Sequence, residues 1–216
     1  MTSLESGRIV VLVLPEKDTR PEDGRPIALH ERAIENIRFI RTTMENAGSF
    51  TAVPGVAQIF IGVTALVAAR IASNRTTEEG WVGTWILEAV IAVTISTVGI
   101  VLKSRAGRIP LDAAPTRRFL MGFAPPLVAA AILTPVLFRE GLAGRLPGAW
   151  ILLYGAGVVT GGAMSIRIVP VMGLAFMVAG TTSLLLPAEW GNILMAISFG
   201  GLLIVFGVVI AWRHGG

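Results

Sequence analysis

Glu88 is the residue that first invites chemistry, because it is the only Asp, Glu, Lys, Arg or His between Gly80 and Leu102. A charge buried in hydrocarbon costs about 2.5–3.5 kcal/mol on insertion scales, so such a carboxyl either carries a proton or faces a polar partner. On a helical wheel it shares its face with Trp81, Thr84, Ala92 and Gly99, a mostly small surface suited to inward packing. Arg70, Tyr154, Thr182 and Asn192 fall at comparable depth in neighbouring apolar segments. With Glu88 they are expected to form a polar pocket open to the outer side, in which Arg70 supplies the counter-charge.

Other chemistry is excluded by what is missing. The chain has no Cys, which removes disulfides, thiolate catalysis and zinc-thiolate or iron–sulfur sites. Its two His, His30 and His214, lie outside the apolar segments, so neither a metal nor a cofactor is expected. There is no HExxH, no Walker loop and no GxGxxG. Ser198 sits in AISFGG with no imidazole in any apolar segment, so a rhomboid-type serine protease would lack its base. The Glu78-Glu79 pair is similar to the paired glutamates of membrane CAAX-type proteases, but the Arg expected four residues on is Gly83. Asp112 is the only Asp after residue 50, so no aspartyl pair can form. The chain is therefore not expected to be an enzyme.

The elements that must position Glu88 are set by composition. Of 216 residues, 53% are apolar and only 15% charged, and the mean hydropathy is +0.72. A water-soluble domain carries roughly a quarter of its residues charged, so this composition belongs in a bilayer. The net charge of +4 is read as a topology signal, and no nucleic-acid partner is expected. Residues 1–26 hold a short apolar run, IVVLVL, and then linker composition, a short strand or an unstructured segment with no signal-peptide pattern. Residues 27–48 read as an amphipathic interfacial helix. Ile27, Ile34, Ile37 and Ile40 recur on one face, and Glu31, Arg32, Glu35 and Arg38 lie on the other.

Six transmembrane helices follow over residues 53–212: Val53–Ile71, Val82–Leu102, Phe119–Phe138, Leu146–Met164, Val169–Leu186 and Trp190–Trp212. Each approaches the roughly 20 residues that cross a bilayer. The fold class is thus an all-α membrane protein whose partner is first the lipid bilayer. Trp81, Trp85, Trp150, Trp190 and Trp212 all fall near span ends and read as headgroup anchors. One set of flanks carries Arg38, Arg41, Lys103, Arg105, Arg108, Arg117, Arg118, Arg167 and Arg213. The other carries only Arg70, Arg75, Arg139 and Arg145, so both termini are expected in the cytosol.

Two packing patterns stand out. Gly157 and Gly161 form a GxxxG that Ala175 and Ala179 match in the next span, as for a tight hairpin or, alternatively, a homo-oligomer contact. Pro54-Gly55 followed by Gly62 recurs as Pro147-Gly148 followed by Gly155, three spans later and so in the opposite orientation, as an inverted repeat would require.

The strings ENIRFIRTTMENAGSFTAVPG (Glu35–Gly55), PVMGLAFMVAG and WGNILMAISFGGLLIVFGVVIAWRHGG (from Pro170 to the end) resemble segments of a family of uncharacterised bacterial six-span membrane proteins. The resemblance covers everything after about Leu29. Relatives often carry His where this chain has Leu203. It implies a bacterial cytoplasmic-membrane location and brings no activity, substrate or catalytic residue. The first functional reading is a non-catalytic accessory or regulatory subunit of a membrane complex. The alternative is a small-solute transporter or channel built around Glu88, and a membrane enzyme ranks last.

Overall fold

The computed structural model describes residues 34, 36–38, 55–105, 114–163 and 165–214, and every regular element among them is helical. The chain divides into two units, Met1–Thr42 and Thr43–Gly216. In the first, Ile34, Asn36, Ile37 and Arg38 are helical and exposed. The remainder of the amphipathic helix, the run at 9–14 and the 1–26 segment lie outside the described residues.

The second unit is built from α1 (Gly55–Ala72), α2 (Glu78–Arg105), α3 (Ala114–Arg139), α4 (Leu146–Gly162) and α5 (Ile168–Leu185). The last helix, α6, runs as Gly191–Met195 in α form, Ala196–Leu202 in π form and Leu203–His214 in α form again. Five segments are long and apolar enough to cross a membrane: Gly55–Ala72, Glu78–Leu102, Arg117–Arg139, Ile168–Leu185 and Ala188–Arg213. Helix α4, at 17 residues, is one residue shorter than the shortest of these. Helices suit this setting because each closes its own backbone hydrogen bonds where no water can. The outward faces of α2 and α3 are apolar, with Leu87, Val90, Val93 and Val98 on the first and Leu120, Met121, Val128 and Ile132 on the second exposed. Such surfaces suit lipid.

Pro125, Pro126 and Pro135 lie inside a continuous α3. Neighbouring helices can re-satisfy the carbonyls that a proline strands. The helix then stops at Gly141, whose φ of 68° lies in the left-handed region. Leu142 N–H donates back to Leu137 O at 2.8 Å and Gly141 N–H to Phe138 O at 3.2 Å, the pattern of a glycine-terminated helix end.

Helix α1 packs against α2 and α6, and α4 against α3 and α5. Small residues let the backbones approach, but the contacts differ from those expected of the GxxxG. The α4–α5 hairpin closes through glycines seven residues apart: a Cβ on Gly155 would stand 2.7 Å from Gly173 O, and one on Gly148 2.6 Å from Leu184 Cγ. Gly157 and Gly161 face α3 instead, 3.0 Å from Phe123 O and 2.8 Å from Phe119 O by the same measure. Ala175 and Ala179 are only partly buried. A heptad of glycines out-competes the GxxxG here because it stays on one face of an antiparallel neighbour along the full length of the pair. The Gly55–Gly62 pair packs on Gly207 and Gly200 of α6, whereas its sequence match Gly148–Gly155 packs on α5. The recurring Pro-Gly spacing therefore serves two non-equivalent contacts.

Candidate functional site

Among the described residues the buried polar ones are Gln58, Thr84, Glu88, Ser183 and Ser198, and the site is built around Glu88. Helix α2 starts at Glu78, four residues before the expected boundary, which puts Glu88 about 15 Å from its start. The hydroxyl of Thr64, on α1, lies 2.8 Å from Glu88 Oε1. Thr64 is the tenth of eighteen residues in α1, so the carboxyl meets its neighbour at mid-helix.

Thr64 Oγ1 is also 2.9 Å from Ile61 O, one turn earlier. It has a single hydrogen to give to two acceptors. When Glu88 is ionised, that hydrogen can serve the carboxylate or Ile61 O but not both. When Glu88 is a carboxylic acid, its own O–H donates to Thr64 Oγ1 and Thr64 donates to Ile61 O, so both contacts are made at once. The pair is thus a two-position hydrogen-bond relay set by one proton.

The expected Arg70–Glu88 ion pair is not formed. Arg70 Nη1 donates to Asn74 Oδ1 at 2.9 Å and to Ser73 Oγ at 3.4 Å, and the side chain is exposed. The reason is register. With α1 and α2 joined by the short segment 73–77, Ala72 and Glu78 are nearly level, so Thr64 comes opposite Glu88 while Arg70 comes opposite Gly80 to Val82. That leaves Arg70 roughly 9 Å too far toward the helix end. It also lies about 120° around α1 from Thr64, on the outward side.

Asn192 belongs to a separate layer, one turn and more above Glu88. Its Oδ1 accepts from Trp81 Nε1 at 3.1 Å and Trp85 Nε1 at 3.2 Å, and its Nδ2 donates to Ala69 O at 3.0 Å. Trp81 stacks on Trp150 at 5.8 Å and 5°, and Trp150 Nε1 donates to Thr134 Oγ1 at 2.9 Å. Trp85 is 4% exposed. Each of these three indoles, expected at the headgroups, gives its N–H to a protein acceptor, with Trp85 buried and Trp81 and Trp150 partly so. Trp190 and Trp212 are exposed, as headgroup anchors would be.

The other pocket residues do not converge. Thr182 is exposed and returns its hydroxyl to Val178 O at 2.9 Å. Tyr154 lies among Phe123, Phe176 and Phe199, with ring centroids 5.7, 4.8 and 5.1 Å away. The five-residue pocket thus separates into the Thr64–Glu88 pair, the Asn192–indole layer and an aromatic core.

Thr64, Gln58 and Ser198 were missing from the expected set. Gln58 Oε1 and Ser198 Oγ are buried with no hydrogen-bond partner among the described residues. Ser198 stands in the π-form segment of α6. Thr84, Thr94, Thr97, Thr134, Thr160 and Thr182 all return a hydroxyl to a carbonyl of their own helix, the usual outcome for a hydroxyl within a helix. Ser198 does not. No cluster of His, Asp or Glu that could hold a metal occurs among the described residues. Family models, curated proteins and solved structures were compared with the chain, and none matches.

Proposed function

We propose that the protein is a six-span carrier of the bacterial cytoplasmic membrane, with α4 as the remaining span and both termini in the cytosol, that links movement of a small solute to protonation of Glu88. The observation that carries this reading is the Thr64–Glu88 contact: a carboxyl at mid-helix, 6% exposed, bonded to a hydroxyl and, among the described residues, unpaired with any cation. An ionisable side chain so placed is expensive to keep, and proton relays are among its principal uses. The π-form stretch Ala196–Leu202 supports the same reading, because such stretches concentrate at functional sites.

The test is solute accumulation in vesicles under an imposed pH gradient, over a panel of small organic anions, cations and neutral solutes. Glu88→Gln, which keeps the hydrogen-bonding shape but cannot release a proton, is expected to lower pH-driven accumulation of the transported class at least tenfold while the protein still elutes as a single species. Uptake unchanged by Glu88→Gln would refute the carrier. A second reading, an accessory subunit with no transport of its own, is favoured by the broad apolar faces of α2 and α3. It predicts no accumulation of any solute and a stoichiometric membrane partner after purification in mild detergent.

A further inference from the structure

We infer that α6 is a heptad-patterned helix carrying one inserted residue, Ser198, and that the π-form stretch Ala196–Leu202 is the device that absorbs it, holding Asn192 on its partners while the rest of α6 stays seated on α1. This role is independent of any transport.

The insertion is counted on three faces of α6. Toward α1, Asn192 donates to Ala69 O at 3.0 Å. Next along that face, a Cβ on Gly62 would stand 2.8 Å from Gly200 O, and one on Gly207 2.8 Å from Gly55 O. The α1 partners Ala69, Gly62 and Gly55 are seven residues apart, two turns of helix with about 20° of drift per step. On α6 the matching steps, Asn192 to Gly200 to Gly207, are eight and then seven. The buried face repeats this count from Met195 to Leu203 to Ile210, and the exposed face repeats it from Ile197 to Val205 to Trp212.

In unbroken α form an eight-residue step turns each face by about 80°. Asn192 would then be rotated off Ala69 O and the two indoles whenever Gly200 and Gly207 sat on α1. The three long steps overlap only between Ile197 and Gly200, inside the π-form stretch. An i→i+5 bond encloses one residue more than the i→i+4 bond of an α-turn, so the stretch takes up the surplus while the faces on either side keep their directions.

Ser198 is the surplus residue by elimination. Ile197 opens the exposed face, Gly200 seats on α1, and the Phe199 ring packs on Trp85, Tyr154 and Phe176. Ser198 alone in this interval holds a buried polar atom with no hydrogen-bond partner among the described residues. Without it, all three faces become unbroken runs of seven.

The test is deletion, with thermal unfolding of the full-length chain in detergent followed by tryptophan fluorescence. Deleting Ser198 should leave a regular α-helix with every seat made, and so an unfolding midpoint at or above that of the wild type. Deleting Val205, where the spacing is already seven and nothing can absorb a loss, should lower the midpoint by roughly 10 °C or more. Asn192→Leu should lower the midpoint of the Ser198 deletion as much as it lowers that of the full-length chain, because Asn192 still meets the same partners. A Ser198 deletion as damaging as the Val205 deletion, a Val205 deletion as stable as the wild type, or an Asn192→Leu change without effect in the Ser198 deletion would each overturn the inference.

Discussion

Replacing Asn192 by leucine is expected to destabilise the bundle by about 2–6 kcal/mol, because it strands two buried indole donors at roughly 1–3 kcal/mol each. Both Trp81 and Trp85 depend on the same oxygen, and Ala69 O loses its donor at the same time. Trp85 is buried and Trp81 partly so, which leaves the Trp85 donor with the larger share of the loss. The measurement is thermal unfolding in detergent followed by tryptophan fluorescence, with Asn192→Asp as the companion. Aspartate retains an oxygen for the indoles but loses the donor to Ala69 O, so it should fall between wild type and leucine. A leucine variant as stable as wild type would show that the three bonds contribute nothing net.

The second large effect is at Gly180. A Cβ there would collide with Leu152 N and stand 2.7 Å from Leu152 Cα. Backbone cannot rotate away as a side chain can, so Gly180→Val should force α4 and α5 apart and cost about 3 kcal/mol, the upper part of the usual overpacking range. Gly83→Ala is the control, because a Cβ at Gly83 meets nothing within 4 Å. It should be neutral or stabilise by up to about 1 kcal/mol through helix propensity. Unfolding of the pair in parallel checks both. Equal effects would show that close α4–α5 approach does not matter.

Much of the architecture was legible because bilayer chemistry writes itself into composition. Long runs without charge had to be helices, and Glu88 stood out because nothing ionisable surrounds it. Its partner was harder to read, since a threonine in an apolar run looks like any other helix-compatible residue. Yet the short α1–α2 connection carries the register: pairing Ala72 with Glu78 and counting back brings Thr64 opposite Ile86, two residues from Glu88, and leaves Arg70 opposite Gly80, near the helix end. Opposite charge alone suggested Arg70, and position decided otherwise. Trp81, Trp85 and Trp150 illustrate a second ambiguity. A tryptophan near a span end can reach headgroups or donate inward, and the inward acceptors are remote from the residue pattern: Asn192, more than a hundred residues away, for Trp81 and Trp85, and Thr134 for Trp150. Ser198 drew notice only as a serine without a base, because neither its burial nor its want of a partner among the described residues shows in the residue pattern.

The account rests on Glu88 gaining and losing a proton beside Thr64, and infrared difference spectroscopy between acid and alkaline pH reads that event directly. The account predicts a carboxylic-acid carbonyl band that gives way to carboxylate bands as pH rises. The change should be absent in Glu88→Gln and shifted in frequency in Thr64→Val, where the acid loses the hydroxyl that receives its hydrogen. A Glu88→Gln difference spectrum superimposable on that of the wild type across the whole pH range would contradict it.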